Sequence, residues 1–303
     1  NFANKLWNAS RLVMMNTTPE TRTTDWKALD QGALDVTSRW ILSRYQGALA
    51  QVSEAIEDYR YSEGINILYD FFWSTYCDWY LEMVKTKFDD ATTQRVASLV
   101  LRGILKMLHP FIPFVTEEIY EQFTGREVAL TNEPWPSVEA RWHDQDVDAA
   151  VGGLIDIATG IRNIRAQWNI KPQDEVAAVF VGPSEESLAL LKENADIVRK
   201  LVRLGTVTFE TKAVTVRNAA GGVAGEVRYF IPLGELIDIE KEKARLKDLI
   251  SQQEKAAGSI EARLNNPGFV QKAPPEVIEK ERERMDLLRA KNAELSRALQ
   301  SLA

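Results

Sequence analysis

The sequence predicts a mainly α-helical protein with a helical bundle, a small α/β connector domain and a C-terminal antiparallel coiled-coil hairpin. Apolar residues recur at three- and four-residue spacing through most of the first part of the chain. Short β-branched runs occur only in the middle part. Two heptad seams joined by a proline-containing breaker occupy the end. These patterns place the domain boundaries at residues 1–146, 147–234 and 235–303.

Composition narrows the class of protein. The chain has 303 residues and a formal net charge of -7, which argues against a wholly basic nucleic-acid binder but leaves room for a local basic stripe. Its single cysteine, Cys77, cannot form an internal disulfide or a cysteine-based zinc site, and a reducing cytoplasm fits. We find no apolar run long enough for a membrane span and no secretion signal.

The first element is an amphipathic helix over residues 1–15. Its core stripe has helical spacing and consists of Phe2, Leu6, Ala9 and Val13. A polar row repeats on the opposite side and consists of Asn4, Asn8 and Arg11. Such a row is most simply a solvated face. Amides and guanidinium groups can also read base edges or stack on unpaired bases, so a binding face stays open.

Two long helices are predicted next, over residues 32–60 and 62–87. The second contains an aromatic-rich stretch with a predicted buried stripe of Leu68, Phe72, Tyr76, Trp79 and Met83. The residues predicted opposite that stripe are Asp70, Ser74, Asp78, Leu81 and Lys85. Leu81 is therefore expected as an apolar residue on a polar face. We interpret the many aromatic residues as core rather than as a stacking platform.

Helices over residues 92–108 and 114–124 complete a bundle of about five helices. Pro110 and Pro113 cannot lie within one helix, so the chain must turn between them. Pro113 suits the first turn of the next helix, and Gly125 suits its end. We expect a buried junction made by Phe111, Phe114, Ile119, Tyr120 and Phe123.

The connector begins with a helix over residues 147–168. The pattern then predicts a strand over 175–181, a helix over 185–204, and short strands over 207–211, 213–217 and 225–231. The sequence Asn-Ala-Ala-Gly-Gly over 218–222 is predicted to form a turn between two of these strands. No residue of the connector suggests a catalytic site.

The last 70 residues or so carry seams of period 3.5. The first seam consists of Ile239, Leu246, Ile250, Ala257, Ile260 and Leu264, interrupted by Lys243 and Gln253. The second consists of Ile278, Met285, Leu288, Leu295, Leu299 and Leu302, interrupted by Glu281 and Asn292. No continuous helix can cross the breaker at residues 265–275, so the seams should pair as a hairpin with arms of about 40 Å.

Several separated stretches resemble one family. The stretch His-Pro-Phe-Ile-Pro-Phe-Val-Thr-Glu-Glu-Ile-Tyr over 109–120 resembles the anticodon-binding domain of class I aminoacyl-tRNA synthetases of the valine, isoleucine and leucine group. The stretch Asn-Phe-Ala-Asn-Lys-Leu-Trp-Asn-Ala-Ser-Arg over 1–11 and the hairpin tip over 266–274 are similar to valyl-tRNA synthetases. The resemblance covers essentially the whole chain, which would be the C-terminal portion of such a synthetase.

The resemblance implies roles for particular residues. In the helical domain, Asn4, Asn8, Arg11, Leu12 and Leu81 would contact the tRNA anticodon. On the hairpin, the candidates for contact with the tRNA elbow are Lys255, Arg263, Lys272, Arg282 and Arg284. The family's nucleotide-binding and editing domains would lie upstream of Asn1. We therefore expect no catalytic residue, metal or cofactor in this fragment, although the whole synthetase would use ATP and Mg²⁺.

The implied function is tRNA binding in support of ATP-dependent attachment of valine to its tRNA. The expected partner is valine tRNA, with no membrane or DNA partner, and the fragment is expected to be a cytoplasmic monomer. Two alternatives stay open. One is the equivalent region of another synthetase of the group, although a single cysteine cannot supply the cysteine-rich zinc element common in the isoleucine enzyme. The other is a coiled-coil scaffold protein, which an incomplete seam and self-association would indicate.

Overall fold

The structure, a computed structural model, describes residues 1–125, 129–212, 214–234, 236, 239–271 and 273–301, without the side chains of residues 270, 294 and 301. The chain forms two compact units, Asn1–Ile155 and Asp156–Ala303. The predicted domain boundaries after residues 146 and 234 stay predictions. Within the described residues, no helix is both long enough and apolar enough to cross a membrane.

The first unit is an α-helical bundle, as predicted. Its helices are α1 Phe2–Met15, α2 Pro19–Arg22, α3 Val36–Glu57, α4 Tyr61–Asp70, α5 Glu82–Val84, α6 Ala91–Leu108 and α7 Pro113–Thr124, and the start of α8 Gln145–Gln167 also belongs to it. Helix α3 begins later than predicted because Asp35 caps it, its carboxylate accepting from the Ser38 amide at 2.8 Å. Burial alone would raise the pKa of the Asp35 carboxyl, but hydrogen bonds from Lys87 and Ser38 leave it below its usual value.

A π-helical segment, Phe71–Leu81, joins α4 to α5 without a break. Hydrogen bonds in a π-helix span five residues, so the side chains advance less per residue than in an α-helix. The buried positions therefore shift from those of an ideal α-helix: Tyr80 is fully buried, whereas Trp79, predicted in the buried stripe, is only half-buried. The predicted burial of Leu68, Phe72, Tyr76 and Met83 is confirmed.

Two buried tyrosines at the centre of the bundle differ in their polar contacts. The Tyr76 hydroxyl donates to the Ala97 carbonyl of α6 at 2.8 Å. The Tyr80 hydroxyl is equally buried and has no hydrogen-bond partner among the described residues. Close packing also constrains α6, since a Cβ at Gly103 would overlap the buried ring of Tyr45.

The junction between α6 and α7 begins and ends as the prolines predict. Helix α6 ends at Leu108, α7 begins at Pro113, and Gly125 follows with φ 65°, a left-handed conformation that suits glycine. The hydroxyl of Thr116 lies 2.9 Å from Nδ1 of His109 and ties the two helices together. The expectation that Phe114 is buried here is wrong, because it is 91% exposed on the first turn of α7.

The second unit contains one four-stranded sheet. Its strands are β1 Val176–Val181, β2 Leu204–Glu210, β3 Ala219–Ala224 and β4 Val227–Pro232, in the order β2-β1-β4-β3. Strands β1 and β2 are parallel, and the other two pairings are antiparallel. The helix predicted over 185–204 is two helices, α9 Glu185–Glu193 and α10 Ala195–Val202, because the Asn194 side chain donates to the Leu190 carbonyl and ends the first.

The prediction for residues 213–222 is wrong. Residues 214–217 form no strand, residue 213 lies outside the described residues, and the predicted turn over 218–222 is largely strand β3. The glycines mark close packing rather than a turn: Gly221 and Gly222 lie opposite Phe230 and Tyr229 of β4, and a Cβ at Gly222 would overlap the Tyr229 ring. The actual turn is at residues 225–226, where Gly225 has φ 56°.

The predicted hairpin is confirmed. Helices α11 Ile239–Leu264 and α13 Pro275–Ser301 pair, with the short helix α12 Pro267–Val270 in the breaker. Ion pairs Arg263–Glu281 at 3.4 Å and Arg289–Glu261 at 3.1 Å show that the arms run antiparallel. The predicted seam positions are the less exposed ones along both arms, and Leu246 and Ile260 are fully buried. Leu302, predicted in the second seam, lies outside the described residues.

Candidate RNA-binding surfaces

Helix α1 presents its predicted polar row to solvent. Asn4, Asn8 and Arg11 are exposed, whereas Leu6 and Val13 on the opposite side are fully buried. Among the described residues, none forms a hydrogen bond or ion pair with these three side chains. Their donors and acceptors are therefore available to a ligand. The position of the row is as predicted, and its contact with an anticodon stays a prediction.

Leu12, the other candidate on α1, is half-buried at the edge of this row. Lys5 lies about two turns before it and connects α1 with the π-helical segment. Its ammonium group pairs with Asp78 at 2.7 Å and lies 3.9 Å from the centroid of the Trp73 ring. Because Leu12 is half-buried, only part of its side chain can contact a bound group.

The expectation that Leu81 lies on an exposed polar face is wrong. Its side chain is 3% exposed, although Asp70, Ser74, Asp78 and Lys85 are exposed as predicted. The π-helical geometry explains the difference, because the helix ends with Leu81 turned toward the core. A base could therefore touch little of Leu81 in this conformation, and its role in anticodon contact stays a prediction.

Two exposed residues beside the row were not singled out from the sequence. Trp7 is 38% exposed and lies three residues after Asn4 and four before Arg11, so helical spacing puts it beside both. Met15 is 73% exposed and continues the row by one turn beyond Arg11. Their positions off the apolar stripe could have drawn attention to them, but exposed single hydrophobic residues are common.

The C-terminal end of α1 is held by Arg22 from α2. The guanidinium group donates to the Thr17 hydroxyl at 3.0 Å, to the Thr17 carbonyl at 2.8 Å and to the Met14 carbonyl. It also lies 5.7 Å from the centroid of the Phe123 ring. Burial lowers the pKa of the Arg22 guanidinium. The cation donates to carbonyl oxygens at and just beyond the C-terminal end of α1, which is the negative end of the helix dipole. Arg22 thereby fixes the turn that follows Arg11.

A cleft opens where α1 and the helix after the π segment end. Residues from both sides line it: Met15, Asn16, Thr17, Thr18, Lys85, Thr86, Phe88, Asp89 and Gln94. The Gln94 side chain spans the cleft floor, accepting from the Thr18 amide at 3.2 Å and donating to the Phe88 carbonyl at 2.7 Å. The cleft begins one helical turn beyond Arg11, the last residue of the polar row.

The basic candidates on the hairpin fall into two groups. Arg263 pairs with Glu281 and Arg282 pairs with Glu279 at 3.8 Å, so each already has a carboxylate partner. Lys255 and Arg284 are exposed and form no ion pair with any described residue. Lys272 lies outside the described residues. Arg284 and Lys255 are therefore better placed for phosphate contact than Arg263 and Arg282.

Two family models match the chain. The anticodon-binding domain of tRNA ligase matches residues 38–180, and the valyl tRNA synthetase tRNA binding arm matches residues 238–303. The second match covers the helical hairpin. Helix α1 lies outside both matched ranges.

Curated relatives called valine–tRNA ligase also match the chain, and an alignment over the full chain includes α1. The relative from Symbiobacterium thermophilum is 34% identical over 100% of this chain and 36% of its own length. The one from Geobacter sulfurreducens is 38% identical over 94% of this chain and 33% of its own length, and the one from Thermotoga maritima is 33% identical over 99% and 34%. The chain thus spans about a third of the length of these relatives.

Proposed function

The chain belongs to the valyl-tRNA synthetase family, and from that premise we propose that it is the tRNA-binding C-terminal portion of a valine–tRNA ligase. In this proposal the helical bundle recognises the anticodon and the hairpin contacts the elbow of the same tRNA. Both contacts support ATP-dependent attachment of valine, which the longer protein carries out. ATP and Mg²⁺ would act outside the residues of this chain.

The polar row on α1 carries the proposal for the anticodon. Two carboxamides and one guanidinium occupy successive turns of a helix, face solvent and have no partner among the described residues. Carboxamides can donate and accept at one base edge, and arginine can form two parallel hydrogen bonds or stack on a base. At about 1.5 Å per residue, Asn4 to Arg11 spans about 10 Å, a length suited to a few stacked bases.

The exposed cations of the hairpin support the proposal for the elbow. A rod with arms of 26 and 27 residues reaches about 40 Å, which allows it to contact RNA at a point far from its base. Lysine and arginine side chains on such a rod would neutralise phosphates and release counterions. We further propose that the chain is a monomer, since the two arms of the hairpin cover each other's seam residues, and that it is cytoplasmic, since its single cysteine fits a reducing compartment.

A binding titration tests the anticodon proposal. The chain would be titrated with valine tRNA and with the same tRNA carrying a changed anticodon, at low and moderate salt. We expect weaker binding to the changed anticodon and a loss of that preference in Arg11→Gln. Arg95→Gln is the matched control, because Arg95 is an exposed arginine on α6 without a partner among the described residues. Equal binding of both tRNAs by the unaltered chain would contradict the anticodon role.

Measuring self-association distinguishes the scaffold alternative from the tRNA-binding proposal. A hairpin that satisfies its own seam should stay monomeric at all concentrations, whereas a scaffold with an open heptad face should dimerise. Light scattering during size exclusion measures the mass directly. A concentration-dependent dimer that binds no tRNA at low salt would favour the scaffold over tRNA binding.

A further inference from the structure

One outer face of α13 combines cations that have no ion-pair partner with apolar side chains. Its members repeat at three- and four-residue spacing and therefore share one flank of the helix: Val277, Lys280, Arg284, Leu287 and Lys291. We refer to these five residues as the α13 stripe. Its ends are fourteen positions apart, so the stripe is about 21 Å long.

The cations of the stripe differ from Arg282 and Arg289 of the same helix. Lys280, Arg284 and Lys291 are exposed, and none forms an ion pair or hydrogen bond with a described residue. Arg282 and Arg289, on the other flank of α13, pair with Glu279 and Glu261. Three cations without a carboxylate partner among the described residues therefore lie together on this flank. Lys247 and Lys255 on α11 and Arg297 on α13 also have no ion pair with a described residue.

The apolar members lie among these cations. Leu287 is 71% exposed and Val277 is 42% exposed, although the seam of the hairpin is covered. Leu287 lies three residues after Arg284 and four before Lys291, so it is flanked by two cations along the helix. One exposed leucine is unremarkable by itself. Here, however, Leu287 lies between two cations that have no carboxylate partner among the described residues. Together these side chains form a surface that suits a polyanion with apolar rings.

The inner end of the stripe lies close to the rest of its unit. Lys291 and Leu295 line a cleft with Gln167 and Trp168, which lie at the end of α8. Ala298, about two turns beyond Lys291 along α13, is buried. The other four members of the stripe lie farther toward the hairpin tip. The outer part of this flank is therefore open to a long partner.

We infer that the α13 stripe is the face of the hairpin that binds RNA, with its three cations on phosphates and Leu287 against a base or ribose. This inference rests on the proposed function that the chain binds tRNA. It adds Lys280, Lys291, Leu287 and Val277 to the surface. It also assigns RNA contact to one flank of the arm. A second copy of the chain is a poorer occupant, because three of the five stripe positions carry like charges.

Salt dependence of binding is the direct test of the stripe cations. Removal of one cation that neutralises a phosphate should reduce the slope of log affinity against log salt by about 0.7–0.9. We expect each of Lys280→Gln, Arg284→Gln and Lys291→Gln to reduce the slope for valine tRNA by about that amount. Arg282→Gln and Arg289→Gln remove the same charge from the opposite flank and should leave the slope nearly unchanged.

Leu287→Ala separates the apolar interaction from the electrostatic one. We expect it to weaken tRNA binding by up to about tenfold and to leave the salt slope unchanged, since it removes apolar area and no charge. Circular dichroism should show unchanged helix content, because Leu287 is not part of the seam. Unaltered tRNA affinity in this variant would show that Leu287 is not part of the RNA-binding surface.

A shorter RNA distinguishes failure of this inference from failure of the proposed function. An isolated anticodon stem-loop lacks the elbow, so its binding should be unaffected by all stripe variants. If full tRNA binds the unaltered chain but the stripe and control variants change the slope equally, the inference is overturned while tRNA binding stands. If the unaltered chain binds no tRNA, both are overturned. A dimer that Leu287→Ala converts to a monomer without changing RNA affinity would replace RNA with a second copy.

Discussion

Replacing Arg22 should loosen the C-terminal end of α1, the helix that carries the polar row of Asn4, Asn8 and Arg11. The side chain donates three hydrogen bonds, two of them to carbonyls that the last turn of α1 and the loop after it leave free. Hydrogen bonds from a charged donor contribute about 1.5–3 kcal/mol each, and bonds from one group are not additive. For Arg22→Met we therefore expect a local destabilisation of about 2–4 kcal/mol. Arg22→Lys keeps the charge but not the planar fork, and should have about half of that effect.

Hydrogen exchange measured by mass spectrometry is the suitable assay, because the two units of the chain need not unfold in one step. Protection of amides in the last turns of α1 should fall by at least about tenfold in Arg22→Met, and by less in Arg22→Lys. Arg95→Met provides the control and should stay within about 0.5 kcal/mol of the parent. Preference for the unaltered anticodon should fall together with the protection of α1.

Two outcomes would contradict the proposed anchoring role of Arg22. If α1 keeps its full protection in Arg22→Met, the three hydrogen bonds do not hold the helix end. If protection falls but the preference for the valine anticodon is unchanged, the position of Arg11 does not depend on this anchor. Either result would separate the stability of α1 from its proposed role.

Three further predictions concern the bundle. Tyr76→Phe should lower the free energy of unfolding of the bundle by about 1 kcal/mol because it removes a buried hydrogen bond. Tyr80→Phe should be neutral or stabilising because the Tyr80 hydroxyl has no partner among the described residues. Urea titration compares the two variants, and equal effects would contradict this difference in hydrogen bonding. Gly103→Ala should destabilise the bundle by about 1–3 kcal/mol because the added methyl group overlaps the buried Tyr45 ring. Gly47→Ala, in open space on α3, should stabilise the bundle by up to about 1 kcal/mol. Thermal unfolding shows whether each variant is less or more stable than the parent. The lowered pKa of Asp35 stabilises the fold above its unfolded-state pKa, and that contribution disappears as pH falls through the lower folded-state pKa. Asp35→Asn should therefore make the bundle less stable at neutral pH and less sensitive to acid, and an unchanged acid profile would contradict this.

The local order of the chain was determined by sequence patterns with a fixed physical period. The apolar stripe of α1, the proline junction before α7 and the 3.5-residue seams of the hairpin each specify a helix and its buried side without knowledge of distant contacts. For the same reason the exposed positions of Asn4, Asn8 and Arg11 could be predicted. The family resemblance rests on those same stretches.

Other features depended on contacts that no local pattern contains. The π-helical segment buries Leu81, and a pattern that assumes about 3.6 residues per turn places that residue on the wrong side. The glycines of β3 suggested a turn, but they are opposite the rings of Phe230 and Tyr229, and only strand pairing reveals that.

The hairpin cations show the same division between sequence and structure. From the sequence, Arg284 is the first among five candidates for RNA contact, but the sequence does not show which of the five have a carboxylate partner. Only the tertiary structure separates Arg282, which faces a carboxylate, from Arg284, which has no such partner among the described residues. The physical reason is that charge compensation depends on which side chains folding brings together.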